Sequence, residues 1–358
     1  MNRMALYPII TSLDKMNKNE APMQWQIASY FIYFIQTLIV ERELRQCISI
    51  SNIGVSMNNE LYEIYERNFP FIIREKETVL NILNNADNVI LEQMDEHNKL
   101  IGVSVINENT ILLLCVDEQY RNKGIGSRLL KDSEKVIKDK GYDRIVIGEG
   151  FDYITPGVPT ARNYFKTENV DLDSNIDDKA ANFFEKRGYA HLRNCDFFDM
   201  KFDLSEFNSE GYNVGDNIDG ITYKWAELDE LSGVCACTDD ACQEFTQFYQ
   251  WEKLYDTGND SRVLIAVMND EVVGTLIVGV EDSEKNIGSI GCTTVRPAYN
   301  GRHIAVNLTT IGTRHLRDIG MKEAFLSYTY TGLDHLYGYA GYKICVYYMM
   351  AEKNIGGI

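Results

Sequence analysis

Residues 116–130 read V-D-E-Q-Y-R-N-K-G-I-G-S-R-L-L, and the organisation of the whole chain follows from this stretch. Before it, Thr110 to Cys115 (T-I-L-L-L-C) is apolar and partly β-branched, which has strand character. After it, Leu129, Leu130, Ser133, Val136 and Ile137 recur at helical spacing, so the segment reads strand, tight turn, helix. Gly124 and Gly126 fall where the backbone must turn sharply with its amides unobstructed. The first turn of the helix offers free N–H groups and a positive dipole end, a pairing suited to an anion such as a diphosphate. Arg121, Lys123 and Arg128 add positive charge at that point. The three-glycine dinucleotide fingerprint and the Gly-Lys-Ser/Thr of a P-loop are both missing here.

At 358 residues and 45% hydrophobic content, the chain is long enough for about two domains with real cores. A formal net charge of −18 disfavours nucleic acid or an anionic membrane surface as partner and mildly favours a cationic substrate. Cysteines stand at 47, 115, 195, 235, 237, 242, 292 and 345. Cys115 and Cys292 fall in apolar strands, as reduced cytosolic thiols do. Cys235-x-Cys237-x4-Cys242 lacks a second pair or a nearby histidine, so it reads as small residues on a helix or loop, and no metal is expected. The apolar run Trp25 to Val40 contains two glutamines and is shorter than the ~20 residues of a membrane helix. It reads as a buried or interface helix, with no signal peptide before it.

From Met57 onward the pattern is regular. Helices are expected over Glu60 to Phe69 and Glu75 to Leu83, broken at Pro70, then strands over Val89 to Gln93, Leu100 to Ile106 and 110–116. The cradle helix should end at Gly141, followed by a strand over Arg144 to Gly148, a helix over Asp178 to Gly188 and, from Tyr189 on, a final strand pair around Asp196 to Asp203. This order is α+β. It then repeats: Val295-Arg296-Pro297-Ala298-Tyr299-Asn300-Gly301-Arg302-His303-Ile304-Ala305 aligns with Val116 to Gly126 at a shift of 179, which still holds at Gly141 and Gly320. The linker falls near 205–218. Gly126 to Gly188 spans 62 positions and Ala305 to Gly341 only 36, so the first copy carries 26 more residues between Glu149 and about Asn175. That insertion reads equally as the lining of a substrate pocket or as packing between the copies.

The stretch resembles the coenzyme A motif of the GNAT acetyltransferase superfamily, Arg/Gln-x-x-Gly-x-Gly/Ala, filled here by Arg121, Gly124 and Gly126. Phe183-Phe184-Glu185-Lys186-Arg187-Gly188-Tyr189 is similar to the family's closing Tyr-Glu-Lys-x-Gly-Phe/Tyr helix, with Phe184 where many members carry the tyrosine that protonates the leaving thiolate. The resemblance covers roughly residues 58 to 350. It implies two tandem acyl-CoA N-acyltransferase domains, each a mixed central sheet flanked by helices: an extension over 1–46, one domain over 47–207 and another over 208–358. The layout is similar to mycothiol synthase and to tandem amino-sugar acetyltransferases.

What the resemblance implies is a cytoplasmic N-acetyltransferase, monomeric or homodimeric, that uses acetyl-CoA as co-substrate. It would pass the acetyl group to a primary amine of a small molecule, an amino sugar being one option, by direct attack in a ternary complex. Acetyl-CoA would be held in the first copy by Leu114, Cys115, Val116, Arg121, Asn122, Lys123, Gly124, Ile125, Gly126 and Ser127. In the second copy Val295, Gly301, Arg302, His303, Ile304 and Ala305 would hold it, although His303 replaces a glycine and Asn300 replaces the Arg or Gln. Glu149 is the candidate base and is equally read as a solvated strand-end carboxylate; Asp152 is a weaker candidate. Tyr337, aligned with Phe184, is the candidate acid, in a half whose tyrosines mostly pack. Tyr153 and Tyr164 are candidate substrate contacts. The competing class is a non-catalytic acyl-CoA-binding sensor or scaffold. An aminoacyl-tRNA-dependent transferase is disfavoured by the acidity and the intact motif.

Overall fold

A computed structural model describes residues 52–148, 154–191, 195–207 and 212–356. The chain divides into two compact units, Met1–Ser56 and Met57–Ile358. The extension 1–46, with its apolar run, lies outside the described residues. The first half contains α1 (Asn52–Asn68), α2 (Lys76–Leu83), β1 (Val89–Met94), β2 (Leu100–Asn107), β3 (Thr110–Val116), α3 (Ile125–Asp139), β4 (Arg144–Ile147), β5 (Val158–Thr160), α4 (Lys179–Glu185), β6 (Ala190–His191) and β7 (Phe197–Asp203). The second half contains β8 (Asn217–Ile218), β9 (Ile221–Trp225), α5 (Leu231–Cys242), α6 (Thr246–Tyr249), β10 (Arg262–Met268), β11 (Glu271–Asp282), β12 (Ile287–Val295), α7 (Ile304–Asp318), β13 (Glu323–Tyr330), α8 (Asp334–Gly338), β14 (Lys343–Met349) and β15 (Ala351–Asn354). This is the α+β order expected from the sequence.

The repeat is visible in the backbone itself. Asn122 and Gly301 take φ of +62° and +79°, Gly124 and His303 take +80° and +57°, and Gly141 and Gly320 both take +92°. Two side-chain devices repeat as well. Lys123 and Arg302 lie over the rings of Tyr120 and Tyr299, whose hydroxyls donate to Asp95 and Glu271, each at 3.0 Å. The second cradle therefore keeps its shape although a histidine occupies the left-handed position.

The strands form two mixed sheets, in the orders β1-β2-β3-β4-β15-β6 and β5-β14-β7-β13-β12-β11-β10-β9-β8. Each copy's last strand belongs to the other copy's sheet. β15 pairs with β4 and β6, with Ala351 opposite both Ile147 and His191. β7 lies between β13 and β14, with Lys201 opposite Phe325 and Met200 opposite Ile344. A cut at 207 thus divides the chain by sequence but not by sheet.

In the first sheet, Ile111, Leu130, Ile137 and Phe184 form a core beneath α3 and α4. Leu61, Ile64, Val79, Leu113 and Cys115 form another beneath α1 and α2. Burying each of the larger aliphatic side chains contributes about 1.5–3 kcal/mol. Opposite β2, the register slips between Ile111 and Leu113. This bulge at Leu112 sends Ile111 and Leu113 to opposite faces of the sheet. β3 and β4 pair only at Thr110 and Val146, then part. In the second copy, β12 and β13 pair from Ile287 to Ser289 before they part.

The exchanged strand β7 carries a fully buried carboxylate. Asp199 accepts from the Tyr348 hydroxyl and the Tyr328 amide, each at 2.7 Å. Burial pushes it up from 3.8 to about 6, against the lowering effect of these two hydrogen bonds and, more weakly, of Arg74, with Glu281 adding a small raising influence. Because the folded state binds its proton more tightly, Asp199 contributes most to stability below 3.8, and that contribution is lost as pH rises through about 6. Asp199→Asn can still accept from the Tyr328 amide and donate to Tyr348. It is expected to melt above the parent well above pH 6, with the difference vanishing in acid, as followed by thermal denaturation across pH.

Candidate active site

A cavity of about 520 Å³ opens where β3 and β4 part. Ile111, Leu114, Phe183 and Phe184 line it from the α3/α4 side, and Leu113, Cys115, Phe69 and Phe71 line it from the α1/α2 side. The cavity therefore passes through the sheet, which lets two reactants approach one point from opposite faces. The cradle stands at its α3/α4 end, where Arg121, Asn122, Gly124, Gly126 and Ser127 belong to the lining.

Gly124 precedes the first helical residue with φ of +80°, and a Cβ built on it meets no atom within 4 Å. The first amides of α3 thus face open space, the arrangement that a diphosphate requires. The residues present fit an acyl-CoA: the turn and helix start for the diphosphate, and the edge of β3 at Leu114, Cys115 and Val116 for the strand-like arm. The expected cations divide. Arg121 folds back along its own turn, its Nε donating to the Val116 carbonyl at 2.9 Å and its Nη2 to Asn68 Oδ1 at 2.8 Å, so it braces the turn while staying exposed. Lys123 is not among the lining residues. Ile125 is buried against Gly102, so its side chain is structural and it can offer a ligand only its amide.

Sequence reasoning missed Arg187, which follows the closing helix. Its guanidinium stacks 3.7 Å from the Phe183 ring centre and donates to Ser127 Oγ at 2.7 Å, bringing a cation onto the cradle. Its place in E-K-R-G was the only signal, and that signal is indistinguishable from a solvated charge run. Burial pushes the Cys115 thiol up to about 12, with Asp117 adding to the effect, so this cavity-lining cysteine stays protonated.

Glu149 and Tyr153 lie outside the described residues. Tyr164 is 44% exposed, accepts from Arg162 at 2.7 Å and stacks on His191; it is not part of the cavity lining. The insertion around it both borders the cavity and packs on the second copy. Thr155, Gly157, Val158 and Pro159, with Asn175, Ile176 and Asp177, line the cavity. Between them, Glu168 N bonds to Asp334 at 3.0 Å and Thr167 bonds to Tyr347 at 2.7 Å, on the second copy.

The second copy uses the same notch differently. Cys292, aligned with cavity-lining Leu113, has its carbonyl bonded to the Tyr249 hydroxyl at 2.6 Å, and Thr275 donates to that hydroxyl at 2.9 Å. Tyr337 lies in the core with its hydroxyl on Thr293 Oγ1 at 3.1 Å, and burial pushes it up to about 12. Gly301, Arg302 and His303 are exposed, while Ile304 packs on Gly274 as Ile125 packs on Gly102. Val295 and Ala305 are half-buried at the two ends of this turn. Tyr337 is thus buried in the core with its hydroxyl partnered, an environment that favours packing. Tyr337→Phe is expected to cost about 1 kcal/mol of stability and leave turnover unchanged, read by thermal melts beside thiol release.

Among the described residues, no group of three or more His, Cys, Asp or Glu could hold a metal ion, and no helix is long and apolar enough to cross a membrane. Cys235, Cys237 and Cys242 lie along α5 as free thiols.

Two family models match the chain, a GNAT acetyltransferase domain over residues 86–191 and the GNAT acetyltransferase family over 223–342. Together they cover more than half of the chain, and each stops short of the exchanged strands β7 and β15. No curated protein matches. Among solved structures, a tandem GNAT protein from the clavulanic acid biosynthesis pathway aligns with a TM-score of 0.62 at 12% identity, over 86% of this chain and 98% of its own. A GCN5-related N-acetyltransferase from Sphaerobacter thermophilus aligns with 0.58 at 17%, over 84% and 93%. A GCN5-related glucosamine N-acetyltransferase region of a fungal multi-domain GH3 beta-N-acetylglucosaminidase aligns with 0.60 at 19%, over 82% of this chain. The chain spans only 36% of that fungal protein's length. At these identities the likeness is one of fold.

Proposed function

Because the chain belongs to the GNAT acetyltransferase family, with two such domains in tandem, we propose that it is an N-acetyltransferase whose first copy alone takes acetyl-CoA and whose second copy is structural. The observation that carries this reading is the cavity running from the glycine cradle through the parted sheet, set beside a second notch whose strand edge is bonded to Tyr249. The donor supplies an activated thioester. The cradle amides and Arg187 hold its diphosphate, and the β3 edge aligns its arm. A neutral primary amine arriving from the α1/α2 side forms the N–C bond as the C–S bond breaks, and the amine's proton ends on the released thiol or in solvent. Juxtaposing the two reactants supplies much of the rate. A protonated Cys115 argues for direct transfer rather than an acyl-enzyme. The acceptor is a small amine, and glucosamine, the substrate named for the fungal neighbour, is one option.

The test is release of free coenzyme A thiol from acetyl-CoA with a panel of primary amines, together with the intact mass of the protein after exposure to acetyl-CoA alone. Amine-dependent thiol release with an unchanged protein mass is expected. Phe184, standing where the family's acid tyrosine falls, favours one other reading, a sensor that binds coenzyme A without turnover. Tight binding with no thiol released by any amine would establish that reading instead.

A further inference from the structure

The acceptor half of the cavity has a definite chemistry. On the α1/α2 side its wall is Phe69, Phe71, Leu113 and Cys115, with Ile176 packed into the same cluster as the two phenylalanines, Asn68 as a polar neighbour and Thr155 as a buried hydroxyl; Val158 and Pro159 face them from the α4 side. Phe69 and Phe71 meet edge to face with ring centres 6.2 Å apart. The second copy holds this wall in place. Phe69, Phe71 and Ile176 pack against Phe325, Val346 and Tyr348 of its sheet. β5, which carries Val158 and Pro159, pairs with β14, with Tyr348 opposite Pro159 and Met349 opposite Val158. A rigid apolar wall of this kind selects an apolar body by area removed from water. It penalises a polyhydroxylated one, whose hydroxyls would lose their water partners against phenyl rings.

We propose that the acceptor is a primary amine on an aryl or alkyl body, seated against Phe69 and Phe71, and that the second copy acts as the fixed outer wall of this pocket. The inference rests on the acetyltransferase reading above and adds the substrate class to it. It also assigns a means of obtaining the reactive amine. Apolar surroundings disfavour an ammonium ion, so seating the amine there shifts it toward the neutral nucleophile without a dedicated base.

The probes are 2-phenylethylamine and glucosamine. Each is titrated by calorimetry into the full-length protein saturated with coenzyme A, and each is assayed for thiol release with acetyl-CoA. Phenylethylamine is expected to bind and to show at least about tenfold higher kcat/KM than glucosamine. Phe71→Ala is expected to raise the phenylethylamine KM about tenfold with the acetyl-CoA affinity unchanged. Ile176→Ser, at a half-buried position, carries the same expectation should Phe71→Ala fail to fold. Preference for glucosamine, or an amine selectivity unmoved by both variants, overturns the proposal. If no amine releases thiol, the calorimetric ranking decides: phenylethylamine binding alone upholds the pocket while removing the catalytic reading. Acetyl-CoA binding with neither amine bound overturns the pocket.

Discussion

Gly124→Asp is expected to abolish acetyl-CoA binding in calorimetry while the protein stays folded. The backbone there is left-handed, which costs an ordinary side chain about 1–2 kcal/mol. The fold already carries Asn122 at +62° in the same turn and His303 at +57° at the equivalent position of the second copy, so this strain is tolerable. What the substitution changes is the ligand side. It sends a carboxylate into the open space beside the first amides of α3, the proposed seat of the diphosphate. Two like charges about 4 Å apart at an effective dielectric near 20 repel by about 4 kcal/mol, roughly a thousandfold in affinity. Gly124→Asn, similar in shape and uncharged, separates the terms: it should weaken binding far less. Binding unchanged by the aspartate would remove the cradle assignment.

Truncation after Met350 is expected to unfold the first copy, although it removes nothing from the cradle or the cavity. Ala351 is fully buried, and among the described residues β15 is the only strand joining β4 to β6 in that sheet. Its loss leaves two strand edges without partners. It also breaks the ion pairs Arg144–Glu352 at 2.7 Å and Lys353–Glu134 at 2.9 Å. Net stabilities of domains are only about 5–15 kcal/mol, and the combined loss is of that order. By the same logic 47–207 and 208–358, produced separately, should each fail to melt cooperatively. A truncated chain melting within a few degrees of the parent would contradict the exchange.

The cradle was legible because local sequence encodes it. Glycine spacing, a strand before and an amphipathic helix after fix a turn without help from the rest of the molecule, and the same logic located the second copy through its 179-residue shift. The strand exchange was not legible. Phe197–Asp203 reads as a strand from its own alternation, but nothing in those residues names a partner, and β7 finds its neighbours more than a hundred positions away at Leu326 and Ile344. Alignment shows the Tyr337 ring but not Thr293 beneath its hydroxyl, the contact that favours a packing role. Phe69 and Phe71 stand about a hundred positions from Ile176 in the chain, so the proposed acceptor wall exists only after folding. Arg187 belonged to the closing motif all along, and only its stacking on Phe183 turns it toward Ser127.

The most direct test is the stoichiometry of acetyl-CoA binding to the purified full-length protein, titrated by calorimetry, with His303→Asp as companion. A donor site confined to the first copy predicts one molecule bound per chain, with His303→Asp indistinguishable from the parent. Two molecules per chain, with one lost on His303→Asp, would mean that the second cradle binds despite the tyrosines in its notch, and would contradict the division of labour between the copies.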